Sequence, residues 1–138
     1  DRSEHVGKVI LPALKEGKLV ISDRFVDSTL AYQIGGRQLP EDLVRYLNMI
    51  SSKGLIPDLT FVLDVSPEVG LKRAAGRSGP DRFEKEKLDF HQRVRQKYLE
   101  IAKGDTERIV LLSTDGQEIG VVQDRIRKIV GERLNAKC

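Results

Sequence analysis

One cysteine, one methionine, two histidines and no tryptophan occur in 138 residues. A lone cysteine, Cys138, excludes an internal disulfide and any cysteine-based metal site. Neither His5 nor His91 has a partner at metal-ligand spacing, so a histidine metal centre is not expected. Aromatic residues make up 5% of the chain, too few to build stacking platforms for single-stranded nucleic acid. No apolar run approaches the roughly 20 residues of a membrane span. Asp1-Arg2-Ser3-Glu4 does not read as a signal peptide, and the expected location is the cytoplasm. No sign of charge dominates: the net charge of +3 comes from interspersed charges rather than a basic cluster. That balance permits an anionic ligand and leaves no electrostatic footprint for nucleic acid. Repeats, low-complexity segments and interdomain linkers are also missing.

What is present reads as a single α/β domain over residues 1–138. Hydrophobic residues at 39% and charged residues at 33% suit a globular chain that buries a moderate core. Val6, Val9, Ile10, Ala13 and Leu14 predict a helix over 3–16, stopped by Gly17 and kinked or broken near Leu11 by Pro12. Leu19 to Ile21 predicts a buried parallel strand over 18–22, followed by a loop. Pro40 opens a helix whose apolar stripe is Leu43, Tyr46, Leu47 and Ile50, and Gly54 ends it. The run 59–65 predicts a central parallel strand, and Ser66-Pro67-Glu68 a helix start after it. Residues 76–82 are rich in Gly and Pro without an apolar anchor, which predicts a loop. Residues 83–103 predict a helix with Phe90, Val94, Tyr98 and Ile101 on one stripe. A strand over 108–113 follows, and Asp115 with Glu118 has the form of a capping box for the last helix. This alternation predicts a parallel sheet flanked by helices on both faces, with three strands visible.

Functional residues concentrate between Leu19 and Arg37. Asp23 and Arg24 end the first expected strand, where open α/β sheets place their ligands. An aspartate there can hold hydrated Mg²⁺, and a guanidinium can fork onto a phosphate. Ser28, Thr29, Tyr32 and Gln33 follow at a spacing that can line one wall of a pocket. For the Asp23-Arg24 dipeptide alone, an aspartate that caps a helix and pairs with its neighbouring arginine is the favoured reading.

The string D-R-F-V-D-S-T-L-A-Y-Q-I-G-G-R, residues 23–37, resembles the bacterial thymidylate kinase signature, with Ile34 in place of a usual glycine. The likeness extends to Asp1-Arg2 with His5, Pro57-Asp58-Leu59, Leu63-Asp64-Val65, Gly70-Leu71-Lys72-Arg73 and Asp81-Arg82-Phe83-Glu84. That family's Walker A loop, G-x-x-x-x-G-K-[ST], does not occur in these residues. The resemblance therefore implies a chain that starts about a third of the way into the family's length, in a P-loop NTPase-like fold whose N-terminal strands lie elsewhere.

The resemblance implies roles residue by residue. Arg24 would bind the acceptor phosphate. Asp23 would orient Mg²⁺ through water or fix Arg24. Arg2 would reach a thymine carbonyl, Ser28 and Thr29 would touch the base, and Tyr32 would lie against the deoxyribose, with Gln33 beside it. Arg73, Arg77 and Arg82 would belong to a basic lid over residues 73–84 that closes on ATP, and Thr114 would sit near the adenine. The implied activity is phosphoryl transfer from ATP to dTMP, giving dTDP and ADP. Mg²⁺ would be the cofactor, and the partner a second copy of the chain, docked through helix 3–16 and neighbouring helices. The 138 residues alone are expected to be inactive for want of a phosphate cradle. A related deoxynucleotide kinase, or a nucleotide-binding or interaction module without catalysis, remains the alternative.

Overall fold

The computed structural model describes residues 2–75 and 82–136, with side chains described for all of these except 74, 75 and 82–86. The expected loop over 76–82 lies outside the described residues, apart from Arg82.

Residues 2–15 form one helix, α1, in three pieces: Arg2–His5, a π-helical turn Val6–Ile10, and Leu11–Lys15. The chain stays helical through Pro12 because the preceding turn widens. Leu11 donates its N–H to the Val6 carbonyl, five residues back, which relaxes the crowding a proline ring imposes on an α-helical turn. Gly17, at φ 75°, ends the segment as expected.

Residues 18–22 do not form the predicted strand. They make no ladder hydrogen bonds among the described residues, and Leu19 and Ile21 are 67% and 88% exposed. An apolar run supplies strand propensity, but a strand exists only when another edge pairs with it, and no described segment does so here.

The expected loop that follows is instead helical. Val26–Leu30 continues into a π-helical stretch Ala31–Gly36, and together residues 26–36 are α2. Val26, Leu30 and Ala31 form its buried stripe. Helix α3 is Glu41–Ser52, with Glu41 and Asp42 favourably placed in its first turn. Its inward face is Val44, Asn48 and Ser52. The predicted stripe of Leu43, Tyr46, Leu47 and Ile50 has helical periodicity but faces outward, each residue at least half exposed. The reversal has a polar cause: the Asn48 amide donates to the Val26 carbonyl at 3.1 Å, which holds that face against α2.

Strand β1 is Thr60–Asp64, followed by α4 (Pro67–Ala75), α5 (Arg82–Gly104), β2 (Ile109–Ser113) and α6 (Ile119–Asn135). The two strands pair in parallel, from Thr60 opposite Ile109 to Asp64 opposite Ser113. Helix α5 covers one face, where Val62, Ala102 and Ile109 form a cluster with Tyr98 and Ile101. Leu63, of opposite parity to Val62, is 51% exposed. The capping box does not form, since Glu118 makes no side-chain cap bond to α6. Asp115 instead accepts the Ser66 N–H at 3.0 Å, tying the end of β2 to the start of α4.

Candidate functional site

Helix α2 presents the signature because it is wedged against α5. Gly36 is required by this contact: a Cβ there would lie 2.5 Å from the Phe90 ring and 2.8 Å from Val94. The two helices therefore approach closely, and Tyr32 meets Phe90 and Tyr98 edge-on at centroid distances of 6.1 and 6.5 Å. Gly35 is packed as closely, since a Cβ there would lie 2.6 Å from Lys97 Cβ and 2.8 Å from the Arg93 carbonyl oxygen.

Arg24, just before α2, is a non-glycine residue at φ 64°. This left-handed backbone turns its guanidinium over the Tyr32 ring, 5.0 Å from the centroid, and it donates to the Tyr32 hydroxyl at 3.2 Å. The Arg24 carbonyl accepts from the Ser22 hydroxyl at 3.0 Å. Four residues after Arg24, Ser28 accepts a 2.7 Å hydrogen bond from the Tyr98 phenol, whose pKa burial pushes up. Arg24, Tyr32, Tyr98 and Ser28 therefore form one connected wall. Thr29, the next residue of α2, is half-buried. Gln33 accepts from the Arg37 guanidinium at 3.3 Å.

Asp23 is exposed and makes no ion pair with Arg24. Of the two roles left open for it, fixing Arg24 is not observed. No cluster of three or more His, Cys, Asp or Glu capable of holding a metal occurs among the described residues. One free carboxylate fits Mg²⁺ that keeps most of its water and shares phosphate oxygens, not an ion caged by protein.

Arg2 does not point freely into a pocket. It donates to Asn48 Oδ1 at 2.8 Å and lies 5.8 Å from the Phe25 ring centroid, so the base of α1 and the loop before α2 are linked through it. Thr114 is similarly engaged: its N–H and hydroxyl both donate to the Asp64 carbonyl, at 2.8 and 2.9 Å. Arg73 is exposed near the end of α4. Arg77 and the Arg82 side chain lie outside the described residues.

Sequence reasoning missed two ion pairs. Arg95 forks onto Asp64 at 2.7 and 2.9 Å, holding that carboxyl below the usual range at the carboxyl end of β1. Arg108 forks onto buried Asp27 at 2.8 and 2.9 Å. Its Nε also donates to Asp105 at 2.7 Å, and these bonds raise the Arg108 pKa. The L-D-V string containing Asp64 was the available signal for the first; nothing local signals the second.

Between residues 19–25 and β1 lies a cavity of about 980 Å³. Leu19, Ile21, Leu63, Ile126 and Val130 give it an apolar floor, while Asp23, Arg24, Ser28 and Tyr32 stand at its polar side. Its size is at the upper end of ligand pockets, roughly 300–1,000 Å³.

The thymidylate kinase family model matches residues 1–126. A thymidylate kinase of Maridesulfovibrio salexigens is 45% identical over 141 residues, an alignment covering 97% of this chain and 64% of that protein. The thymidylate kinase of Leuconostoc citreum is 46% identical, with 99% and 64% covered. The crystal structure of thymidylate kinase from Ehrlichia chaffeensis superposes with a TM-score of 0.72 at 31% identity, over 94% of this chain and 58% of that one. The chain thus spans just under two thirds of the length of these curated relatives.

Proposed function

Because the chain belongs to the thymidylate kinase family and shares its P-loop NTPase-like fold, we propose that it carries the acceptor-nucleotide half of an enzyme that transfers a phosphoryl group from ATP to dTMP. The observation that carries this reading is the wall in which Arg24, Tyr32 and Ser28 meet beside a cavity. An arginine over an aromatic ring, next to hydroxyls, suits a phosphate, a sugar ring and a base edge in that order.

In this reading Arg24 takes the acceptor phosphate, Tyr32 lies along the deoxyribose, and Ser28, Thr29 and Gln33 face the base. Arg2 acts on the base from the α1 side, and its link to Asn48 fixes where its guanidinium starts. Asp23 would hold Mg²⁺ through water, and the ion would supply positive charge to the phosphates. Arg73, Arg77 and Arg82 close over ATP, whose adenine passes Thr114. Phosphoryl transfer itself needs a cradle of backbone N–H groups, which the Walker A loop provides and these 138 residues do not contain. The present chain therefore binds the acceptor without turning it over, and activity belongs to a protein of the relatives' length. The cavity beside residues 19–22 is apolar enough to seat a further strand there, leaving its polar side for the nucleotide.

The same reading includes a homodimer. Leu43, Tyr46, Leu47, Met49 and Ile50 of α3, with Val9 of α1, are each at least half exposed. Such an apolar face suits a protein contact better than water. Replacing Leu47 with Glu should convert a sedimenting dimer to monomer; a wild-type chain that sediments as monomer at high concentration refutes the interface.

Calorimetric titration tests the acceptor site. The chain should bind dTMP and discriminate against dUMP. A cooperatively folded chain that binds neither overturns the proposal.

A further inference from the structure

We propose that Arg108 is a positioning residue for the acceptor pocket, acting through Asp27 to fix the first turn of α2; this rests on the nucleotide reading above.

The geometry commits Arg108 to partners within the fold. Its Nε donates to Asp105, its Nη2 to Asp27 Oδ1, and its Nη1 to both Asp27 Oδ2 and the Thr60 hydroxyl, the last at 3.1 Å. Every nitrogen of the guanidinium donates to a protein partner, so its commitment is to two carboxylates and a hydroxyl within the fold. Asp27 is 5% exposed and is equally committed, accepting also from Thr60 at 3.2 Å. The backbone reinforces the arrangement, because Thr60 N–H donates to the Arg108 carbonyl at 2.9 Å. A helix residue, the first residue of β1 and the residue before β2 are therefore joined in one network.

What the network holds is the pocket wall. Asp27 immediately precedes Ser28 and Thr29, and Tyr32 lies five positions on. The apolar contacts of α2 through Val26, Leu30 and Ala31 bury its face but do not fix its rotation or its position along its axis. A two-point fork on a buried carboxylate fixes both. A buried ion pair is weak evidence of stabilisation, since apolar residues of similar size often replace such pairs without loss. Its geometric specificity is what an apolar replacement lacks.

That contrast gives the test. The chain is prepared as wild type, Arg108→Lys, and the double variant Asp27→Leu with Arg108→Met, which removes both charges together. Thermal unfolding, calorimetric dTMP affinity and amide exchange over residues 28–36 are measured on each. The double variant should unfold near the wild-type temperature yet bind dTMP about tenfold or more weakly. Its α2 amides should exchange faster while those of β1 and β2 do not. Arg108→Lys, which keeps charge but not the fork, should not rescue affinity. A double variant that is stable, exchanges as wild type in α2 and binds dTMP normally overturns the proposal and makes the pair merely structural. If wild type itself does not bind dTMP, the nucleotide reading fails, and the exchange comparison still decides whether Arg108 sets α2.

Discussion

Arg24 offers a perturbation that separates backbone from side chain. Its φ of 64° places a bulky residue in the left-handed region. That conformation costs an L-residue about 1–2 kcal/mol relative to glycine. Substitution by Gly or by Ala removes the same guanidinium contacts with Tyr32, so those losses cancel between the two variants. Glycine is penalised by about 0.4–1 kcal/mol through its freer unfolded chain. At the middle of these ranges the difference leaves Arg24→Gly more stable than Arg24→Ala by about 0.8 kcal/mol, or about 2–5 °C in thermal midpoint for a domain of this size. This inverts the usual order within regular structure, where alanine is the more stabilising residue. Circular dichroism melts of both variants provide the assay. Calorimetry adds the functional half: both should lose dTMP affinity about 10- to 100-fold, the worth of a charged hydrogen bond. An alanine variant as stable as the glycine variant would show that the strained turn is not maintained, and the argument that strain aims the guanidinium at the cavity would fall with it.

Gly36→Ala should lose about 1–3 kcal/mol by urea unfolding, because its Cβ would meet Phe90 and Val94 well inside contact distance and force α2 from α5. Asp64 gives an acid limb. Its hydrogen bond from Arg95 lowers the folded pKa below the ordinary 3.8, so its contribution is complete above that value and is lost as pH falls through the folded one. Thermal midpoints of wild type and Arg95→Met should therefore differ at neutral pH and converge as pH falls through the lowered folded value. Tyr98→Phe keeps the ring against Tyr32 and removes the bond to Ser28. It should cost about 1 kcal/mol in denaturant unfolding and abolish the late phenol titration that burial pushes upward, seen by ultraviolet absorbance.

Much of the fold was legible because it is written locally. The near-continuous apolar runs at 59–65 and 108–113 became β1 and β2, and the stripe Phe90, Val94, Tyr98 and Ile101 placed α5. The misreadings share a cause: the deciding contact lies far away in sequence. Residues 18–22 look like a strand, but pairing is a property of two segments. The α3 stripe has correct periodicity, yet which face turns inward is settled by Asn48 bonding Val26, 22 positions away. Within the candidate site, Arg24 and Tyr32 were visible in one continuous string and do meet. Arg108 and Asp27 stand 81 positions apart with no periodicity to connect them. Asp115 looked like a cap for its own helix and serves another.

Which cation is available to an anion follows from what each would have to surrender. Arg95 and Arg108 each hold a carboxylate through two short bonds, and leaving it would expose a buried or half-buried negative charge. Arg2 holds a neutral amide oxygen that is itself buried, so releasing it leaves a polar atom to be satisfied elsewhere. Arg24 holds only a phenol at 3.2 Å on an exposed side chain, and that phenol can turn to water when the guanidinium leaves. Its stacking on Tyr32 survives small movements, since attraction to a ring face depends weakly on orientation. A phosphate reaching Arg24 therefore displaces the weakest of the four engagements and gains a charged one. Arg95 and Arg108 are better suited to holding the fold around the cavity than to leaving their carboxylates.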